Sequence, residues 1–403
     1  MNSAFRIPHS AFRIPPTVIA LGLVSLFNDA SSEIIYPLLP LFVTTTLGAS
    51  VVSLGLIEGL AESTASVLKL CAGWFSDRTG HRKPLVVGGY AAAGLMRPLL
   101  ALATAGWHVL GLRFLDRIGK GVRAAPRDAM IADAVSADRR GLAFGFHRAM
   151  DHAGAIVGSL LAAWLVMVFR SDYRKIFLAS TIPAAIALLI LLVFVREPVR
   201  ATPPADSRAP LPALSLRGFH RDYKIFLGIL VLFSLTCSSD AFLLLRARQC
   251  GVGDAQIPLL WAWLHVSKTI SSIIGGGMSD RIGRRPLIIA GWVLYAAIYG
   301  GFAVVETPAW IWTLFTIYGV YFGCTEGVEK ALVADLVPAD QRGMAFGWYN
   351  LALGISALPA SLFLGFLWDR AGAGPALGAS AVVSLIAAAL LLFFAPRSLA
   401  SAS

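Results

Sequence analysis

The sequence predicts an all-α membrane protein, with twelve transmembrane helices arranged as two pseudo-symmetric six-helix bundles. Three observations lead there. Of the 403 residues, 57% are hydrophobic and only 14% charged, more apolar surface than a water-soluble domain of this size can bury. Apolar runs of about 20 residues recur along the chain, the length at which a helix crosses a bilayer. Backbone groups in lipid must be satisfied within the segment, so these runs are helices rather than isolated strands. Finally, the chain repeats itself. Gly73, the pair Asp77-Arg78, Gly80 and the basic pair Arg82-Lys83 return in order as Gly276, Asp280-Arg281, Gly283 and Arg284-Arg285. Downstream, Asp138-Arg139-Arg140-Gly141-Leu142-Ala143-Phe144-Gly145 is echoed by Asp340-Gln341-Arg342-Gly343-Met344-Ala345-Phe346-Gly347. The offsets, 203 residues from Asp77 to Asp280 and 202 from Arg140 to Arg342, are about half the chain. Such a repeat is a duplicated unit.

Residues 1–16 hold a seven-residue echo (3–9, then 10–16) rich in proline, and read as a disordered tail. An N-terminal bundle (17–195) takes spans near 17–43, 50–76, 84–105, 107–135, 142–168 and 174–195. A C-terminal bundle (223–396) takes spans near 223–246, 254–278, 285–305, 308–336, 342–368 and 374–395. The linker between them, 196–222, carries Pro198, Pro203, Pro204, Pro210 and Pro212, and 397–403 form a short tail. No small-residue cleavage site follows the first run, which is therefore expected to be a retained helix.

The net charge of +11 is not gathered on a soluble basic face, so nucleic acid is not an expected partner. With both termini inside, the basic residues of the repeated loops and of the linker all fall in the cytoplasm. This is the positive-inside distribution of a multi-pass protein of the inner membrane. Cys71, Cys237, Cys250 and Cys324 offer neither a disulfide framework nor metal-ligand spacing. No metal and no cofactor are expected.

The spans themselves carry charge. Asp29 and Glu33 lie four apart on one face of the first span, and Ser238-Ser239-Asp240 in the seventh matches Ser31-Ser32-Glu33. Pro37 and Pro40 disturb the outer end of the first helix. The second span holds Glu58, Glu62 and Lys69; its counterpart holds His265 and Lys268. The fourth is the most unusual, with Arg113, Asp116, Arg117, Lys120, Arg123, Arg127 and Asp128. Arg113, Arg117, Lys120 and Arg127 form one helical stripe. A lone charge at the bilayer centre costs about 2.5–3.5 kcal/mol on insertion scales, so the stripe must face water or acids. Gly119, Gly121 and Pro126 suggest a loosened helix. The tenth span places Glu326, Glu329 and Lys330 in matching positions. The charge reversal from Arg127-Asp128 to Glu329-Lys330 predicts pairing across the two-fold axis. Gly145, Gly154 and Gly158 of the fifth span predict close helix approach. Of the aromatic residues, Phe27, Tyr36, Trp261, Trp263, Tyr318 and Tyr321 are candidates for the lining of a cavity.

The duplicated Gly-x-x-x-Asp-Arg-x-Gly loop, with Gly73, Asp77, Arg78, Gly80, Arg82 and Lys83 as its elements, resembles the signature between helices two and three of the major facilitator superfamily. The resemblance covers about 17–396 through span count, duplication and linker position. Arg117-x-x-Lys120-Gly121-x-x-Ala124-Ala125 is similar to the superfamily's fourth-helix motif, whose Arg is linked to proton coupling. The three glycines of the fifth span resemble the antiporter motif, although Ser159 stands where that motif has Pro. The resemblance, which is to drug-efflux-like members, implies two bundles rocking about a midplane site, with helices one, four, seven and ten around the cavity.

Site roles follow as expectations. Asp29, Glu33 and Asp240 are the candidate proton carriers, with Arg117 or Arg113 approaching them to eject the proton, since a nearby cation favours the ionised acid. Arg113, Asp116, Lys120, Tyr36, Tyr318 and Glu326 are the candidate substrate cavity. A cytoplasmic latch is expected from Gly73, Asp77, Arg78, Gly80, Arg82, Asp280, Arg281 and Arg284. In it Asp77 lies beside Arg342, and Asp280 beside Arg140, where a carboxylate at a helix start gains about 0.3–1 kcal/mol. Arg127, Asp128, Glu329 and Lys330 are the expected gate pairs. Gly119-Lys120 lacks the remaining residues of a phosphate-binding loop, so energy comes from an ion gradient or from the solute.

The expected function is proton-coupled efflux of a small organic solute by alternating access. A proton-coupled uptake symporter for an organic anion is the alternative, with the basic stripe holding the anion. A membrane receptor or enzyme on the same fold is a third class. It would need an appended domain or a catalytic constellation, and the sequence offers neither. The expected partners are the solute, protons and the lipid bilayer, and the chain is expected to act as a monomer.

Overall fold

The computed structural model describes residues 15–79, 81–135, 140–196, 216–337 and 342–394. Among the described residues there is no strand, and the helices form twelve rods in chain order. These are α1 (Pro16–Ile35), α2 (Val51–Thr79), α3 (Lys83–Leu99), α4 (Gly106–Asp133) and α5 (Arg140–Val168). Next come α6 in two pieces (Tyr173–Ala179 and Thr181–Phe194) and α7 in two pieces (Arg221–Ser234 and Ala241–Gln249). The last are α8 (Gln256–Ile282), α9 (Arg284–Val304), α10 (Pro308–Asp335), α11 (Arg342–Ala371) and α12 (Ala373–Phe394).

Eight rods are long and apolar enough to cross a membrane by length and composition: α1, α2, α3, α5, α6, α9, α11 and α12. The other four are α4, α7, α8 and α10. Of these α7 is broken into two short pieces, while α4, α8 and α10 present charged or tyrosine side chains to a cavity inside the protein. The outer surface is apolar, with Leu160, Trp164 and Met167 of α5, Ile182 and Leu189 of α6, and Phe363 and Phe366 of α11 all exposed.

Helix contacts repeat between the halves. In the first half α1 packs on α5 and α6, and α4 on α2 and α3. In the second α7 packs on α11 and α12, and α10 on α8 and α9. The halves meet through α2 with α11 and through α5 with α8, two contacts that the pseudo-symmetry exchanges. Along α2–α11 the backbones almost touch. A Cβ at Gly59 would lie 2.8 Å from the Cα of Leu358, and one at Gly365 would lie 2.9 Å from the carbonyl of Val51. Val51, Val52 and Gly59 belong to the first half of α2, so the halves are joined at the end of the bundle away from the repeated loops. At that end the Asp369 carboxylate of α11 accepts hydrogen bonds from Val51 N and Val52 N, both at 3.0 Å. A helix start leaves such N–H groups without intrahelical partners. Tyr173 also donates across the interface to Asp254, at 3.1 Å.

Three local features differ from, or add to, the sequence reading. The outer end of α1 is rewound, with a tight turn at Tyr36–Leu38 and a wide one at Phe42–Thr46, because Pro37 and Pro40 remove backbone donors. The glycines of α4 do not loosen it, since the helix is continuous. A Cβ at Gly119 would lie 2.6 Å from Gly89 O of α3, and one at Gly121 would lie 2.6 Å from the Leu68 side chain of α2. These glycines let three helices crowd together. The break in α7 was not anticipated. Residues between Ser234 and Ala241 leave the helix, where Thr236, Ser238, Ser239 and Asp240 offer side-chain hydrogen bonds that compete with the helical ladder.

Candidate functional site

Between the halves lies a polar cavity of about 580 Å³, walled by α1, α2, α4 and α5 on one side and by α7 and α8 on the other. It reaches Lys69, Arg127, Asp128 and Arg148, towards the end that carries the repeated loops. A second chamber of about 290 Å³ shares Tyr36, Glu62 and Asp240 with it and extends into the C-terminal half among Tyr295, Tyr318, Tyr321 and Phe322. One wall is therefore charged and the other aromatic.

The charged wall is built on α4, whose Arg113, Asp116, Arg117 and Arg123 are all less than one-tenth exposed. The stripe faces the protein interior, as its insertion cost demands. Arg113 grips Glu58 of α2 with Nη2 at 2.9 Å and Nε at 3.2 Å from Oε1. It also stands 3.6 Å from Asp116. Asp116 in turn is 3.7 Å from Arg97 of α3. Arg97 donates to Asn28 O at 3.0 Å and to Asn28 Oδ1 at 2.9 Å. Arg117 and Lys120 share one oxygen of Glu62, at 3.5 and 3.9 Å. Arg123 lies over the Tyr90 ring, 4.5 Å from its centre. Two donors remain unused: Arg117 Nε and Arg123 Nη1 are buried without a hydrogen-bond partner.

The acids of α1 are differently placed. Asp29 accepts from the Asn28 amide at 2.9 Å, and Glu33 accepts from Trp261 Nε1 of α8 at 2.7 Å. Among the described residues no cation is within ion-pairing distance of either. Asp240, at the break in α7, accepts from the Tyr318 hydroxyl at 2.7 Å and lies 3.7 Å from Lys268 of α8. The expected approach of Arg113 or Arg117 to these three acids is not what the structure holds. Both arginines are taken by α2, whose Glu58 and Glu62 are nearer along the α2–α4 contact.

Of the expected substrate residues, Arg113, Asp116, Lys120 and Tyr36 line the larger cavity, and Tyr318 with Tyr36 lines the smaller. Tyr36 also stacks obliquely on Trp261, ring centres 5.0 Å apart, and its hydroxyl is 3.4 Å from Ser239. Glu326 lines neither and is exposed. The expected gate pairs do not form. Arg127 folds onto its own neighbour Asp128, Nη2 to Oδ1 at 2.8 Å. Glu329 is buried in the C-terminal half, accepting from Trp292 at 3.0 Å and from Tyr349 at 2.8 Å, while Lys330 is exposed. Among the described residues, the partners of Arg127 and Glu329 belong to their own halves.

Of the expected latch, Gly73, Asp77, Arg78, Gly80, Asp280, Arg281, Arg140 and Arg342 fall outside the described side chains. Arg82 and Arg284 are seen, and their partners are mirror images. Arg82 bonds Asp133 at the end of α4, and Arg284 bonds Asp335 at the end of α10 at 3.2 Å. The neighbouring bases mirror each other too, Lys83 donating to Leu192 O and Arg285 to Leu392 O. Gly283 precedes α9 with φ 91°, a left-handed conformation that explains the glycine in the loop. Sequence reasoning missed Arg97, Asp133 and Asp335, whereas Trp261, expected in an aromatic lining, does line the cavity. The 202-residue spacing of Asp133 and Asp335 was a signal available to find two of them.

Two helical bundles around a buried, charge-lined cavity, each with an apolar outer surface, define a multi-pass membrane transporter. Comparison places it further. The family model of the Major Facilitator Superfamily matches residues 21–325 and 241–403, and the chain belongs to that superfamily. It is 33% identical to an MFS-type transporter of Methanocaldococcus jannaschii over 93% of this chain and 94% of the relative. It is 25% identical to the multidrug resistance protein MdtH of Aeromonas hydrophila over 87% of each. Among solved structures, a single-site variant of the nucleoside transporter NupG superposes with TM-score 0.79 at 15% identity, covering 93% of this chain and 99% of NupG. A bacterial homologue of the lysosomal transporter Spinster, inward-facing and occupied, superposes with TM-score 0.76 at 15% identity, over 93% and 95%. These likenesses establish the fold. The family makes the chain a carrier of small molecules rather than an enzyme.

Proposed function

We propose that the protein exports a small organic solute from the cytoplasm in exchange for protons, sitting in the plasma membrane with both termini cytoplasmic. The observation that carries this reading is the isolation of Asp29 and Glu33. A half-buried carboxylate in the cavity wall with no cation beside it is disfavoured in its charged form, and taking up a proton removes that cost. The α4 stripe holds many cations one helix away. A shift of α1 against α4 within the N-terminal bundle, accompanying the rocking, that brings one of them to α1 expels the proton, and the reverse shift invites the next. The likeness to a multidrug resistance protein supports the export direction. The bundles 17–195 and 223–396 are the moving bodies, and the chain works as a monomer. With the repeated loops in the cytoplasm, the cavity described above is the inward-facing form.

The test is reconstitution in liposomes with internal pH followed while a solute gradient is imposed. Solute-driven proton movement is expected in the parent and absent in Glu33→Gln. Equal proton movement in both would overturn the coupling role of Glu33. The latch belongs to the outward-facing form, in which Asp77 and Asp280 meet the starts of α11 and α5. Asp77→Asn is expected to increase labelling of cysteines placed in the cytoplasmic mouth, and unchanged labelling would remove the latch. A second reading, uptake of an organic anion with protons, is favoured by the two unused donors on Arg117 and Arg123. Competition by organic anions and not by cations would select it.

A further inference from the structure

The chamber of the C-terminal half has a wall unlike the rest of the cavity. Tyr36, Tyr295, Tyr318, Tyr321 and Phe322 turn into it beside Asp240. Tyr318 and Tyr321 lie parallel, ring centres 5.7 Å apart with planes 2° from coplanar orientation, and Phe322 stands edge-on to both at 5.0 Å. The Ser238 hydroxyl in the same wall is buried without a partner. Aromatic faces gathered round a carboxylate attract an organic ammonium by two forces at once, the ring quadrupole and the ion pair.

One ammonium already stands at its mouth. Lys268 Nζ lies 3.6 Å above the centre of Phe322, 5.6 Å from that of Trp261 and 3.7 Å from Asp240 Oδ2. At 3.7 Å the pair is within Coulomb range and beyond hydrogen-bond distance, whereas Tyr318 holds the other oxygen of Asp240 at 2.7 Å. Lys268 lines the larger cavity while its head stands at the mouth of the smaller. Its flexible stem permits retreat.

We infer that the tyrosine chamber is an ammonium-binding subsite whose mouth is held by the protein's own Lys268, displaced when a solute bearing an organic ammonium enters. The inference rests on the cavity being the transport path. Lys268 then acts as a tethered competitor: it neutralises Asp240 in the empty carrier and sets the affinity for the solute.

The test is equilibrium binding of choline to the purified full chain in detergent, with neutral 3,3-dimethylbutan-1-ol as the control of equal shape. Removing the competitor by Lys268→Met is expected to tighten choline binding at least about tenfold, with no gain for the neutral alcohol. Adding Asp240→Asn is expected to abolish the gain. Lys268→Gln serves as a second variant should Lys268→Met fold poorly, and thermal unfolding of each variant checks that the chain is intact. Equal choline affinity in the parent and both Lys268 variants overturns the subsite, as does a gain that survives Asp240→Asn or is shared by the alcohol. Solute-driven proton movement in liposomes separates the two levels. If it persists while choline fails to bind, the subsite alone falls; if it is unchanged in Glu33→Gln, the coupling reading falls.

Discussion

Helices α4 and α10 occupy equivalent places in the two bundles, yet one is lined with ions and the other with aromatic rings. At the 202-residue offset, Arg113, Asp116 and Lys120 correspond to Phe315, Tyr318 and Phe322. The α4 side packs as a network in which Arg97, Arg113 and Arg117 are each held by carboxylates of neighbouring helices. The α10 side packs as rings, with Tyr295 stacked on Tyr299 at 4.2 Å and Phe233 on Trp292 at 4.2 Å. Even Glu329, the one buried acid there among the described residues, is satisfied by Trp292 and Tyr349 rather than by a base. A duplicated fold thus fixes where helices cross, while each half fills its cavity face with its own chemistry. The difference gives the cavity a charged wall and a polarisable wall.

The comparison can be broken at its strongest point first. If the α4 network is held by compensation, removing one partner of the Arg113–Glu58 pair leaves an uncompensated buried charge. Glu58→Met is therefore expected to lower stability by about 3–5 kcal/mol, with Arg113→Met/Glu58→Met recovering most of it. Thermal unfolding of the purified protein measures both. Equal loss in single and double variants would mean that the pair is not a unit. On the aromatic side the expected loss is smaller. Tyr349→Phe removes one neutral donor from Glu329 and is expected to cost about 1–3 kcal/mol by the same measurement. A loss as large as that of Glu58→Met would erase the contrast between the halves. The smallest effect is expected where the halves touch. Asp369→Ala removes a cap from α2 worth about 0.5–2 kcal/mol. It is expected to loosen the end of the bundle away from the repeated loops. Labelling of a cysteine placed near Val52 should rise in the variant, and no change would show that the α2–α11 glycine contact alone holds that end.

Much of the architecture was legible because membrane helices announce themselves by length and apolarity. The rod boundaries fall within a few residues of those expected, except at α1, whose regular helix ends at Ile35 ahead of the rewound turns, and at α7, where a serine-rich segment inside an apolar run hid a break. The drop in offset from 203 to 202 is explained by the loops. His81 has no counterpart between Gly283 and Arg284, so everything after the loop is one residue closer. The cavity residues were legible as charges that lipid would not tolerate. Their partners were not. Arg97 looks like any basic residue near a helix end. The grouping of Arg117 with Glu62 rather than with Glu33 depends on which face of α2 meets α4. Most of the expected latch lies outside the described side chains.

The sequence by itself determined that this chain is a duplicated helical membrane protein with a charged interior. The free energy of burying backbone and charge in lipid leaves no other arrangement for such a composition. Only the tertiary structure decided which acids are neutralised and which stand alone, and that Lys268 rests on Phe322 beside Asp240. Those pairings depend on separations of a few ångströms between helices far apart in the chain, and a linear pattern holds no record of them.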